Sequence, residues 1–109
     1  MKDVSIGHLR HRLLIEAPHD VSDGAGGVIR TYTPGLNVWA AIFPISGKSE
    51  FIIDRRNMNI THKIILRWRA DLTQDMRVRH HNRCFLILAI WDHDEQKKFL
   101  VCLCEEVKG

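Results

Sequence analysis

The sequence predicts a mainly β fold: a small antiparallel β-barrel of about six or seven strands with one short helix-like insertion. Three observations carry this. Short runs alternate apolar and polar residues with a period of two, most clearly from Thr61 to Arg69 and from Met76 to His80. Turn formers separate them: Asp23-Gly24, Gly26-Gly27, Pro34-Gly35 and His81-Asn82. One run, Cys84 to Trp91, is apolar on both faces and needs cover on both. Closure into a barrel removes the exposed edges that an open sheet of such strands would leave.

Each element can be justified in order. Residues 1–10 read as a loosely held N-terminal arm of a single domain spanning 1–109. From Arg12 a strand places Leu13, Ile15 and Ala17 on one face, and Pro18 is expected to end it. Positions 19–27 read as a flexible loop at the tip of a long hairpin. Val28 to Thr33 returns as a strand, Pro34-Gly35 reads as a turn, and Leu36 to Phe43 forms the next strand. There Val38, Ala40 and Ile42 oppose Trp39, Ala41 and Phe43, and Pro44 stops the pairing.

The periodicity then changes. Ser46 or Ser49 can cap a short helix, with Glu50 near its positive end and Phe51, Ile52 and Met58 as an apolar stripe. A helix this short needs a surface to dock on. In the strand after it, His62, Ile64, Leu66 and Trp68 share the face opposite Thr61, Lys63, Ile65, Arg67 and Arg69. Met76, Val78 and His80 then alternate with Arg77, Arg79 and His81. His81-Asn82 is a tight hairpin turn, 92–96 is a turn, and Lys98 to Glu106 is the last strand.

Bulk properties bound the function. The 109 residues carry a net charge of +3, which favours acidic partners weakly. Three cysteines, Cys84, Cys102 and Cys104, with no CxxC pair argue against a disulfide framework or a zinc site and read as buried packing residues. No signal-peptide pattern and no bilayer-length apolar run is visible, so no membrane partner is expected. The seven histidines show no ligand spacing. No nucleophile elbow, Cys–His signature or phosphate loop is present, so the chain reads as a non-enzyme without cofactors.

Basic residues offer more. Arg67 and Arg69 share one strand face, and Arg77 and Arg79 share another. If those strands are antiparallel neighbours, four guanidiniums form one patch that can meet phosphates such as those of DNA; a solvated outer face is the alternative. Trp39 and Trp68 lie in strands that look buried. That weighs against the runner-up reading, a small β-barrel nucleic-acid-binding module, which needs exposed aromatics beside its basic strip.

A series of short motifs adds a resemblance. Leu9-Arg10-His11-Arg12, Val38-Trp39-Ala40, Pro44-x-Ser46-Gly47-x-x-Glu50, Thr61-His62-x-Ile64, Arg67-Trp68-Arg69, Met76-Arg77-Val78, Phe85-x-Ile87 and Leu103-Cys104-x-Glu106 occur in this order. Together the chain resembles the phage head–tail joining family, which includes head–tail adaptors and head-completion "stopper" proteins. The hairpin at His81-Asn82-Arg83 departs from the glycine that members often carry there. The resemblance implies a structural virion protein in the head–tail connector, made in the host cytoplasm during assembly. It implies a homo-oligomeric ring that extends or closes the DNA channel. The implied partners are a portal or adaptor protein, a tail protein and, transiently, packaged DNA; the free protein can be a monomer. It places Glu50, Phe51, Ile52, Arg55 and Arg56 at a subunit or portal contact.

Overall fold

A computed structural model describes residues 6–45 and 59–107. The helix-like insertion, with Glu50, Phe51, Ile52, Arg55 and Arg56, lies outside the described residues. Six strands form: β1 (His11–Ser22), β2 (Val28–Pro44), β3 (His62–Arg67), β4 (Arg77–His80), β5 (Arg83–Asp92) and β6 (Phe99–Val107). Single 3-10 turns stand at Ile6–His8 and His93–Glu95. All neighbouring pairs are antiparallel, and the sheet closes as a barrel in the order β1-β2-β3-β6-β5-β4, with β4 back against β1.

The period-two pattern builds the interior. Leu13 and Ile15, Ala40, Ile64 and Leu66, Val78, Phe85 and Ile87, and Leu100, Cys102 and Cys104 point inward as one cluster. A second, smaller cluster sits on the outer face: Ala41, Ile65 and Val101, covered by Leu9 and flanked by Phe99. Leu9 therefore docks, although it belongs to the segment read as a loose arm.

Three strand breaks expected from the sequence do not occur. β1 runs through Pro18, which pairs with Tyr32. β1 is held by β4 only as far as Glu16, so beyond it the strand has one neighbour, where proline costs least. The expected loop at 19–27 shrinks to its last residues, because pairing continues to Ser22↔Val28. Pro34-Gly35 is a bulge rather than a turn: Gly35 and Leu36 together oppose Ile15. A Cβ on Gly35 would stand 3.1 Å from the Ile15 carbonyl oxygen, which explains the glycine.

A second bulge, at Leu88 between Ile87 and Ala89, shifts the phase of β5. Phe85 and Ile87 face the core before it, and Ile90 packs against the core after it. This phase shift is one reason the run reads as apolar on both faces. The expected His81-Asn82 turn joins β4 to β5, with His81 in the left-handed region at φ 56°.

The cysteines are buried and unbridged. Burial pushes the Cys102 thiol up to about 12, and burial followed by proximity to Cys102 pushes Cys104 up as well. The folded protein is therefore expected to resist alkylation at about pH 8, with all three thiols reacting once denaturant is added. Mass spectrometry after a short iodoacetamide pulse reads this; fast labelling of Cys102 in the native protein would contradict the core assignment.

Candidate assembly surface

The four strand arginines do not meet as one patch. β3 neighbours β2 and β6, whereas β4 neighbours β1 and β5, so the two strands sit on opposite walls of the barrel. Arg77 donates to the Glu16 carboxylate, and Arg79 approaches the other oxygen of Glu16 at 3.6 Å. The Arg77 guanidinium also lies 3.9 Å from the centre of the Tyr32 ring. Arg69, beyond the end of β3, donates both Nε and a terminal nitrogen to Asp71 at 2.9 Å. Arg67 stays exposed and has no ion-pair partner among the described residues.

The structure brings forward a surface that the sequence did not. Past Glu16, six residues of β1 continue with only β2 beside them, so the β1–β2 hairpin projects by about 20 Å at strand rise. Its tip is closed by Asp23. The Asp23 amide donates to the Gly27 carbonyl at 3.1 Å, and its carboxylate accepts from the Ala25 and Gly27 amides at 2.7 and 3.0 Å. Those backbone donors, Ala25 first, hold the carboxyl below its ordinary range. Gly24 and Gly26 supply the positive φ that the tight tip requires. Despite its solvent position the tip is apolar: Val28 is 70% exposed and Ile29 56%, beside Val21. Asp20 and Arg30 pair across the strands at 2.9 Å.

At the base of the hairpin a cleft of about 160 Å³ opens between Ile15, Ala17, Leu36, Leu72 and Met76, with Arg69 and Asp71 at its rim. On the barrel wall Trp39 is 56% exposed, a correction to its expected burial. Val38 and Ala40 take the inward positions, so the alternation turns Trp39 outward.

The opposite mouth of the barrel gathers histidines. The His80 ring stacks edge-on to His11 at 5.0 Å and lies 4.4 Å from His81. The buried Nδ1 of His80 has no hydrogen-bond partner. Nearby, Arg83 forks onto Glu106 at 2.9 and 3.1 Å and donates to His62 Nε2 at 3.1 Å. A guanidinium only donates, so His62 Nε2 accepts and its proton sits on Nδ1, aimed at Thr61 Oγ1 2.9 Å away. No group of three or more metal-binding side chains forms among the described residues.

Burial first, then the neighbouring cations, lower the His62 and His80 pKa values in the fold. A lowered histidine pKa means the unfolded chain takes up protons first. The stability these residues supply is present above about pH 6.5 and is lost as pH falls through the folded values. Asp20, Asp71 and Glu106, held down chiefly by hydrogen bonds from Arg30, Arg69 and Arg83, add their own losses only at pH below about 4.5. The melting temperature is therefore expected to drop between about pH 7 and pH 5, and His80→Phe should flatten part of that drop. Scanning fluorimetry across the range reads it; a curve flat to pH 5 would contradict the rim's geometry.

Comparison with known proteins identifies the lineage. No curated protein matches the chain. Among solved structures it is similar to protein SF1141 from Shigella flexneri 2a, with a TM-score of 0.71 and 26% identity over 94% of this chain and 96% of that one. It is also similar to a chain from the virion of a native gene transfer agent particle, with a TM-score of 0.68 and 28% identity over 93% and 97%. The family profile described as phage head completion protein matches residues 4–107, which takes in all six strands, the projecting hairpin and both barrel mouths. By that match the chain belongs to the phage head completion protein family.

Proposed function

We propose that this protein is a structural component of a virion that completes the head and joins it to the tail. It would act as a ring on the portal or an adaptor and continue or close the DNA channel. The observation that carries the reading is the likeness to a chain in an assembled virion particle, 97% of which is covered, together with the family match. The shape supports it. A closed barrel with a long arm, 50 Å in its longest extent and 27 Å in its shortest, offers separate surfaces for neighbours on several sides. The partners are the portal or adaptor below and a tail protein beyond, with assembly in the host cytoplasm and the virion as destination. Packaged DNA is touched transiently where the ring surrounds the channel. The reading needs no catalytic step.

Within it, Glu50, Phe51, Ile52, Arg55 and Arg56 are proposed for a subunit or portal contact, since arginine and aromatic residues are enriched at interfaces. Arg55→Glu with Arg56→Glu is expected to leave the monomer folded and to stop its co-sedimentation with DNA-filled, tailless heads. Wild-type protein should bind those heads, add density below the portal and reduce DNA leakage. Full binding by the double variant would remove these residues from the contact. Failure of the wild type to bind would count against the reading itself.

A further inference from the structure

Two exposed surfaces among the described residues match each other in apolar character and oppose each other in charge. The first is the hairpin tip. Val21, Val28 and Ile29 are exposed there, and Asp20 and Asp23 against the single Arg30 leave it net negative. The second lies on the outer wall. Arg12 pairs with Trp39 across β1 and β2, and the Ala40↔Leu66 register continues the row to Arg67, which pairs with Phe99 of β6. Leu13, Ala40, Leu66 and Leu100 take the inward positions, so this whole row faces outward. An exposed indole thus sits between two exposed arginines, neither of which has an ion-pair partner among the described residues.

We infer that the tip of one copy's β1–β2 hairpin seats on the Arg12–Trp39–Arg67 face of the next copy in the ring. This rests on the ring reading above. The contact is head-to-tail: two different patches of the same chain meet, and the repeat closes when the rotation does. A buried tryptophan flanked by arginines is the composition of an energetic centre in interfaces, and the tip's apolar residues supply what it would pack against. Charge fixes the orientation, with the Asp23 carboxylate, held in place by the Ala25 and Gly27 amides, facing Arg12 or Arg67. One chain cannot satisfy itself: Val28 and Asn37 are separated along the same strand by about 30 Å at strand rise.

Cross-linking of rings assembled on tailless heads tests this. Ala25→Cys puts a thiol on the tip, and Asn37→Cys puts one beside Trp39, both at exposed positions outside the proposed contact residues. Cys84, Cys102 and Cys104 are buried and do not compete. With a short bis-maleimide, the double variant is expected to give a ladder of covalent oligomers, while either single variant gives none. Adding Trp39→Ala should weaken the ladder by about tenfold or more. Rings seen by electron microscopy without a ladder, or a dimer from Ala25→Cys alone, would overturn the inference and leave the ring reading standing. Oligonucleotide quenching of Trp39 fluorescence in such ladder-free rings would give the face to nucleic acid instead. Absence of any ring with wild-type protein would overturn the ring reading and this inference together.

Discussion

Replacing Phe85 with alanine is expected to cost about 3–5 kcal/mol and to lower the melting temperature by about 15–30 °C. Phe85 is fully buried in the barrel interior, opposite Val78 on β4 and Glu106 on β6. Its ring meets His62 edge-on at 4.9 Å, and the Arg83 guanidinium lies 4.9 Å from its centre. It is therefore the floor on which the Arg83–Glu106–His62 network rests. The truncation leaves a cavity in a closed sheet, where the surrounding strands cannot collapse without breaking pairing on both sides. Thermal and urea unfolding followed by circular dichroism measure the effect. A loss below about 1 kcal/mol would mean that the ring is not in the core.

Glu16→Ala is expected to cost about 1–3 kcal/mol, a smaller loss with a more specific consequence. Glu16 is 8% exposed and faces both Arg77 and Arg79. Removing it leaves two adjacent guanidiniums with no shared counter-charge. Both arginines keep some contact with water, so solvent screening holds the penalty below that of a dry ion pair. Glu16 is also the last β1 residue held by β4, and Arg77 ties that point to Tyr32 in the projecting part of β2. The variant should therefore loosen the root of the hairpin more than the barrel. A double-mutant cycle with Arg77→Ala should return a coupling of about 1–2 kcal/mol. Hydrogen exchange should rise first in residues 17–33. Strict additivity of the two substitutions would refute the coupling.

The barrel itself was legible because its strands alternate with period two. Leu13 and Ile15, and Ile64 and Leu66, fall on the faces they are expected to share, and Cys102 and Cys104 are buried as expected. What sequence reasoning missed follows from two local ambiguities and one global one. Pro18 and Pro34-Gly35 look like breaks, yet a strand with one neighbour tolerates proline, and a bulge accepts glycine. The long hairpin is expected from the sequence, but with shorter strands and a longer tip loop than the pairing to Ser22↔Val28 allows. The global ambiguity is strand order. β6 inserts between β3 and β5, a pairing across distant sequence that no local pattern reports. That placement separates the arginines of β3 from those of β4. Exposure of Trp39 had a usable signal, since the alternation opposes it to Val38 and Ala40. Only the extent of cover on the outer wall was unreadable.

The most direct test of the structural role is electron microscopy of particles from a producer whose copy of this gene is deleted. A head-completion role expects filled heads without tails, or heads that have lost their DNA, with separate intact tails, and rescue by the wild-type chain. Normal tailed particles from the deletion would contradict it.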